Sequence, residues 1–212
     1  MADRPILFSA PMVRALLAGT KTQTRRLFKG IEPMDNRRFH IFGGMIGVSE
    51  DDVPKHAPDY VRIQIGDRLW VRETWQGLSF GDYLPTKSSQ CEVRYASTDP
   101  CADLDVEARG YPWRPSIFMP RWASRLTLTV ADVRVERLQD ISEDDAAAEG
   151  WPAPADRAKT GIAEIRDAYP IGWYAALWDS INSKPGTQWS ANPWVVAYSF
   201  TVQHQNIDRI AA

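Results

Sequence analysis

Between Gly19 and Arg26 the chain reads Gly19-Thr20-Lys21-Thr22-Gln23-Thr24-Arg25-Arg26, which sets an amine, several hydroxyl and amide groups and two guanidinium groups close together. On its own such a run most often forms a solvated face or a loop that contacts phosphate. A second residue sharpens the reading. In Arg68-Leu69-Trp70-Val71-Arg72-Glu73-Thr74-Trp75, strand alternation puts Leu69, Val71, Glu73 and Trp75 on one face and Trp70, Arg72 and Thr74 on the other. A carboxylate among three apolar side chains is costly unless it is partnered, and Lys21 or an arginine is the partner the sequence offers. The pair reads either as a buried ion pair that fixes packing or as part of a reactive centre.

Other chemistries find less support. His40, His56 and His204 share no metal-ligand spacing with one another or with Cys91 and Cys101, so neither a zinc centre nor a disulfide framework is expected. The Gly43-Gly44 pair is too little for a phosphate-cradling loop, and no Gly-x-Ser-x-Gly elbow occurs. An enzyme built this way works with side chains alone, without metal or cofactor.

The elements that must carry these residues can be read in turn. Arg4 to Ser9 forms a short strand. A helix follows, with Met12, Val13, Leu16 and Leu17 on one face, Pro11 in the first turn and Gly19 at the stop. Thr20 to Phe28 reads as a polar, basic turn. Residues 29–64, rich in Gly, Pro, Asp and His, read as a long surface excursion. Gly66-Asp67 is a turn before the Arg68–Trp75 strand, and 91–96 is another strand. Residues 97–115 are irregular. Leu126, Leu128 and Val130 alternate and then Val133 and Val135 do, which implies one bent strand or two joined ones. Ser142 and Asp145 make a capping box for a short helix ending near Gly150. Pro170 opens a helix with Trp173, Tyr174, Leu177, Trp178 and Ile181 on one face. Trp194 to Val202 is a long final strand. Strands predominate without regular strand–helix alternation, which favours an α+β fold, a small barrel or curled mixed sheet with helices outside, over a doubly wound sheet.

Composition sets the remaining bounds. The chain has 212 residues and a formal charge of −2, and residues 139–212 carry five basic against ten acidic groups. A sequence-independent nucleic-acid binder usually shows a strong basic excess, and this chain shows none. No run approaches the ~20 apolar residues of a membrane span, and the N-terminus leads straight into a strand, so a cytoplasmic protein without membrane contact is expected. The nine tryptophans are expected to pack in cores with the indole N–H reaching a partner.

Gly19-x-Lys21-x-x-x-x-Arg26 has the spacing of the signature of the ASCH superfamily, and its combination with Asp67-Arg68-Leu69-Trp70-Val71-Arg72-Glu73 resembles ASCH proteins of bacteria and phages. The resemblance implies a PUA-like fold, a β-barrel of mixed strands with a few peripheral helices. It would make residues 1–212 one domain with insertions at 29–64 and 139–190. It also implies an activity. One branch of the family hydrolyses the exocyclic amide of N4-acetylcytidine to cytidine and acetate. By motif, Lys21 would be the proton acceptor, Thr24 the nucleophile and Glu73 the proton donor. Other branches are RNA-binding modules or nucleases, so a non-catalytic RNA binder and a metal-independent ribonuclease are the alternatives. The expected partner is a small nucleoside.

The chemistry is coherent under stated conditions. A threonine hydroxyl needs a neighbouring base, and a neutral lysine serves if burial, Arg25 and Arg26 draw its pKa down. The C-terminal end of the preceding helix and a charged Glu73 oppose that shift, so the pair can share protons. An apolar setting suits Glu73 to the acid role. Lys21 and Thr24 lie on opposite faces of a flat strand, so their contact requires a turn or bulge at Thr22-Gln23. Substrate contacts fall to Arg26, Trp70, Trp75 and Arg121, with Phe118 and Trp122 nearby in sequence, any aromatic among them able to stack on a pyrimidine.

Overall fold

A computed structural model describes residues 1–35, 38–41, 47–152 and 169–210. The Gly43-Gly44 pair and parts of the 29–64 and 139–190 segments lie outside the described residues. In chain order the strands are β1 (Asp3–Leu7), β2 (Gln23–Leu27), β3 (Ile31–Pro33), β4 (Arg38–Ile41), β5 (Gly47–Ser49), β6 (Arg68–Arg72), β7 (Trp75–Leu78), β8 (Pro85–Thr86), β9 (Glu92–Tyr95), β10 (Thr127–Arg137) and β11 (Trp194–Gln203). The helices are α1 (Ala10–Leu17), α2 (Val53–His56), α3 (Val106–Arg109), α4 (Glu143–Ala148) and α5 (Pro170–Ile181). The fold is α+β. A five-stranded mixed sheet runs β1-β6-β10-β11-β2, and two three-stranded sheets run β3-β4-β5 and β8-β7-β9.

The chain divides into two compact units. The first comprises Met1–Gly19, Asp67–Thr129 and Thr201–Ala212. In it β1 lies parallel to β6, with Ile6 opposite Val71, and the start of β10 lies antiparallel to β6, with Leu128 opposite Leu69. Alternation along β6 holds: Leu69 and Val71 are buried, while Trp70 and Arg72 are half-buried. Helix α1 carries Pro11 in its first turn, buries Met12, Val13 and Leu16, and ends before Gly19, whose φ of +72° is open to glycine at no steric cost. Asp67, at the turn after Gly66, accepts the Ala2 N–H at 2.6 Å and Arg4 Nε at 3.3 Å, which ties the N-terminal strand to β6.

The second unit comprises Thr20–Gly66 and Val130–Phe200. Two expectations are corrected in it. Thr20 to Phe28 is not a free turn: its second half is β2, paired antiparallel with β11, with Thr24 opposite Tyr198 and Arg26 opposite Val196. The 29–64 excursion holds its own β3-β4-β5 sheet and buries Ile41, Val48, Val53, Ala57 and Val61. The bent strand is β10, a single strand in which Val130 and Val133 are both buried and Ala131 is exposed. Ser142 caps α4 by accepting the Asp145 N–H at 3.1 Å. The return half of the expected box is replaced, because the Asp145 carboxylate bonds Gln23, Arg25 and Arg134 instead. Helix α5 opens on Pro170 and buries Trp173, Tyr174 and Trp178. Among the tryptophans, Trp178 donates Nε1–H to the Thr187 carbonyl at 2.7 Å, whereas Trp75 and Trp194 keep buried indole N–H groups without a partner among the described residues.

Removing the cap is a simple test of α4. Ser142→Ala is expected to cost about 1 kcal/mol, read by urea unfolding, because one N-terminal N–H loses its acceptor. An unchanged midpoint would mean that the tertiary contacts of Asp145 alone hold the helix.

Candidate functional site

Among the described residues, each unit holds a buried charged cluster around a Glu. In the second unit the cluster is built on the edge of β2. Lys21 forms an antiparallel bridge to Glu149, just past the end of α4, and the Thr22 N–H donates to the Ala148 carbonyl at 2.8 Å. These backbone bonds bring the Lys21 amine onto Glu149 twice, at 2.7 Å to Oε2 and 2.8 Å to the main-chain carbonyl. Lys21 is 1% and Glu149 3% exposed, so the pair lies outside bulk solvent. Arg25, with no exposed side-chain area, donates to the other Glu149 oxygen at 3.2 Å, to Glu136 at 2.9 Å, to Asp145 at 3.0 Å and to the Gln23 amide oxygen at 3.0 Å. Tyr174, from α5, is buried close enough to feel the Glu149 charge.

The electrostatics follow from burial. Desolvation draws the Lys21 pKa below 10.5, Arg25 and Arg26 push the same way, and Glu149 opposes but does not cancel the shift. Burial works against the charge on Arg25 too, but Glu149 and Glu136 outweigh it and raise its pKa. Arg26 differs: the residue is exposed, and desolvation draws its pKa down. Burial pushes the Tyr174 phenol well above 10.0.

Asp145 gives the cluster a pH signature. Burial alone would raise its carboxyl, but hydrogen bonds from Arg134 and Gln23, with the charge of Arg25, hold it below 3.8. A depressed folded pKa contributes stability that is present above the unfolded value and is lost as pH falls through the folded one. Asp145→Asn is therefore expected to lower stability at about pH 6 and to shrink the further loss on going to about pH 3, both read by urea unfolding. An acid limb equal to that of the wild type would contradict this assignment.

Thr24 is 3% exposed and lies opposite Tyr198. The bulge expected at Thr22-Gln23 is absent. Pairing with β11 is regular from Gln23 to Leu27 and extends outward through the Phe200 N–H to the Thr22 carbonyl at 2.9 Å. Gln23 and Arg25 therefore face one side of β2, and Thr24 and Arg26 the other. Among the described residues the Thr24 hydroxyl makes no hydrogen bond to Lys21.

Glu73 belongs to the first unit, immediately after β6. It is 1% exposed, and the partner is an arginine rather than Lys21. Arg125 donates Nε–H to Oε1 at 2.9 Å and Nη2–H to Oε2 at 3.1 Å, and Ser97 donates its hydroxyl to Oε2. The same Arg125 nitrogen reaches Ser97 Oγ at 2.8 Å, and its guanidinium lies 3.9 Å from the centre of the Tyr95 ring. Both carboxylate oxygens thus accept hydrogen bonds from within the first unit.

The residues expected to touch substrate are also spoken for in this unit. Trp75, 1% exposed, packs with Met119 and Ala123, sets its ring edge-to-face on Trp122 at 5.8 Å and lies 5.5 Å from the Arg114 guanidinium, so it is core rather than a stacking platform. Trp70 is half-buried with Arg72 5.3 Å from its ring centre. Arg121 pairs with Asp3 at 2.6 Å and Asp208 at 2.7 Å and ties chain ends together. Phe118 is exposed.

The sequence reading missed Glu149 and Arg125. The Ser142 cap and the Gly150 stop locate the end of α4, but nothing in the sequence joins Glu149 to a lysine 128 residues away. Among the described residues no group of His, Cys, Asp and Glu could hold a metal ion, and no helix is long and apolar enough to cross a membrane. No family model, curated protein or solved structure matches the chain.

Proposed function

We propose that this protein hydrolyses the N4-acyl amide of N4-acetylcytidine and related acylated cytosine nucleosides, with Lys21 as the proton acceptor and Thr24 as the nucleophile. The same reading takes the five-stranded sheet as part of a PUA-like barrel. One observation carries it: an amine sealed from solvent, with its pKa drawn down, inside the Gly19-x-Lys21-x-x-x-x-Arg26 spacing. A surface lysine stays protonated near neutral pH and is a poor base, whereas desolvation shifts a buried one toward the neutral form that a base requires. Lys21 takes the proton of the Thr24 hydroxyl, Thr24 Oγ1 bonds to the acyl carbon, and the C–N4 bond breaks as the cytosine amine takes up a proton. Water then cleaves the acyl-threonine.

The geometry supports the amine better than the hydroxyl: regular pairing with β11 sets Thr24 on the face of β2 opposite Gln23 and Arg25, so proton transfer to Lys21 requires a local shift of this strand when substrate is bound. The covalent step is therefore the one to test. A reaction quenched during turnover is expected to carry one acyl group on the peptide containing Thr24, read by mass spectrometry. Thr24→Ser should retain that adduct and Thr24→Ala should lose it together with at least ~100-fold of turnover. Full turnover by Thr24→Ala would make water the direct nucleophile and remove the acyl-enzyme from the scheme.

A further inference from the structure

We infer that the outward face of β6 in the first unit binds an aryl oxyanion, a carboxylate or phosphate group on a flat body, through Arg72 where it lies on Trp70. The site stands without the hydrolase reading above. Its starting point is a cation that the first unit leaves without a counter-ion. Arg68, Trp70 and Arg72 share one face of the strand. Arg68 gives its fork to Asp3 at 2.8 and 3.0 Å, and Arg121 takes the same carboxylate at 2.6 Å, so that acid is already shared by two cations. Among the described residues the Arg72 side chain makes no ion pair and no hydrogen bond. Its contact is with Trp70, 5.3 Å from the guanidinium carbon to the ring centre.

Burial sharpens the imbalance. Nε of Arg72 is buried without an acceptor, and desolvation draws the arginine's pKa down with no carboxylate near enough to raise it. Arg94 and Arg134 also bury an unpartnered Nε. Each of them keeps a carboxylate on another nitrogen, Glu92 at 2.8 Å and Asp145 at 2.9 Å. Arg114, which lies on Trp75, buries no nitrogen unpartnered. Arg72 is set apart by having both the missing ion pair and the desolvated N–H.

The surroundings say what would complete the site. A guanidinium laid on an indole has less freedom to lose on binding, and it presents its Nη N–H groups in a fixed plane. Two parallel N–H···O bonds from that plane match a carboxylate or a phosphate and bring the charge this arginine lacks. β1 borders the site: Pro5 stands opposite Trp70 and Leu7 opposite Arg72, and both residues are exposed. They offer apolar contact to a flat body that carries the anion, which favours an aryl carboxylate or aryl phosphate over a bare ion.

The experiment titrates the full chain, isotope-labelled for proton–nitrogen NMR, with benzoate, phenyl phosphate, inorganic phosphate and sodium chloride. The Arg72 Nε–H signal is assigned by its loss in Arg72→Lys. Benzoate, phenyl phosphate or both are expected to shift that signal and the β6 amides saturably, with a Kd below about 10 mM. Inorganic phosphate should bind more weakly, and sodium chloride should give no saturation. Saturation by one aryl anion alone supports the site and names its acid group. Arg72→Gln and Trp70→Leu, followed on the β6 amides with folding checked by thermal melting, should bind at least ~10-fold more weakly. Arg72→Lys keeps the charge but not the planar fork, and it decides where Arg72→Gln does not fold. Shifts that grow linearly with every salt, or a Kd unchanged in the folded Arg72 variants, overturn the inference.

Discussion

Lys21→Ala is expected to abolish measurable turnover, a loss of at least ~100-fold, and to destabilise the second unit by about 3–5 kcal/mol. Both effects have one cause. The Glu149 carboxylate, 3% exposed, loses the cation that sits on it at 2.7 Å and, among the described residues, keeps Arg25 as its side-chain donor. A buried charge stripped of its partner costs far more than the pair contributes, whereas an apolar replacement of both partners is often neutral. The double substitution Lys21→Met with Glu149→Leu should therefore recover most of the stability and none of the turnover. Denaturant unfolding and steady-state rates on the same samples separate the two. Turnover in the double variant would place the chemistry elsewhere.

Arg125→Ala is expected to be the most damaging substitution in the first unit, again by about 3–5 kcal/mol, because it leaves Glu73 buried with Ser97 as its remaining side-chain donor. The guanidinium also lies on the Tyr95 ring, so packing is lost with the charge. A change below about 1 kcal/mol would show that the cluster relaxes to admit water. Glu73→Gln decides what the carboxylate is for. In this account it weakens the unit and leaves the turnover of folded protein unchanged. A variant that folds normally and has lost its activity would return the proton donor's role to Glu73.

How far the sequence could be read depended on how local the cause was. The stop of α1 at Gly19, the Ser142 cap, the Pro170 start and the phase slip of β10 at Ala131 each rest on a few adjacent residues, and all four appear. The alternation that buries Leu69, Val71 and Glu73 also holds, but the expected Arg68–Trp75 strand is interrupted: β6 ends at Arg72, and Trp75 opens β7 in another sheet, where four successive residues are buried. The β3-β4-β5 sheet was invisible because three- and four-residue strands are too short to show a period. Polar composition misled the reading of β2. Arg25 and Lys21 are buried only because carboxylates 111 to 128 residues along the chain come to meet them, and no local pattern marks Glu136, Asp145 or Glu149 for that task. The candidate centre was legible in its cations and illegible in its anions.

The most direct test of the central claim is the ultraviolet absorbance of N4-acetylcytidine incubated with wild type and with Lys21→Ala. The account predicts that the acylated chromophore disappears with wild type, yielding cytidine and acetate in equal amounts, and persists with the variant. A spectrum that stays constant with folded wild-type protein, or that decays equally with both, would contradict it.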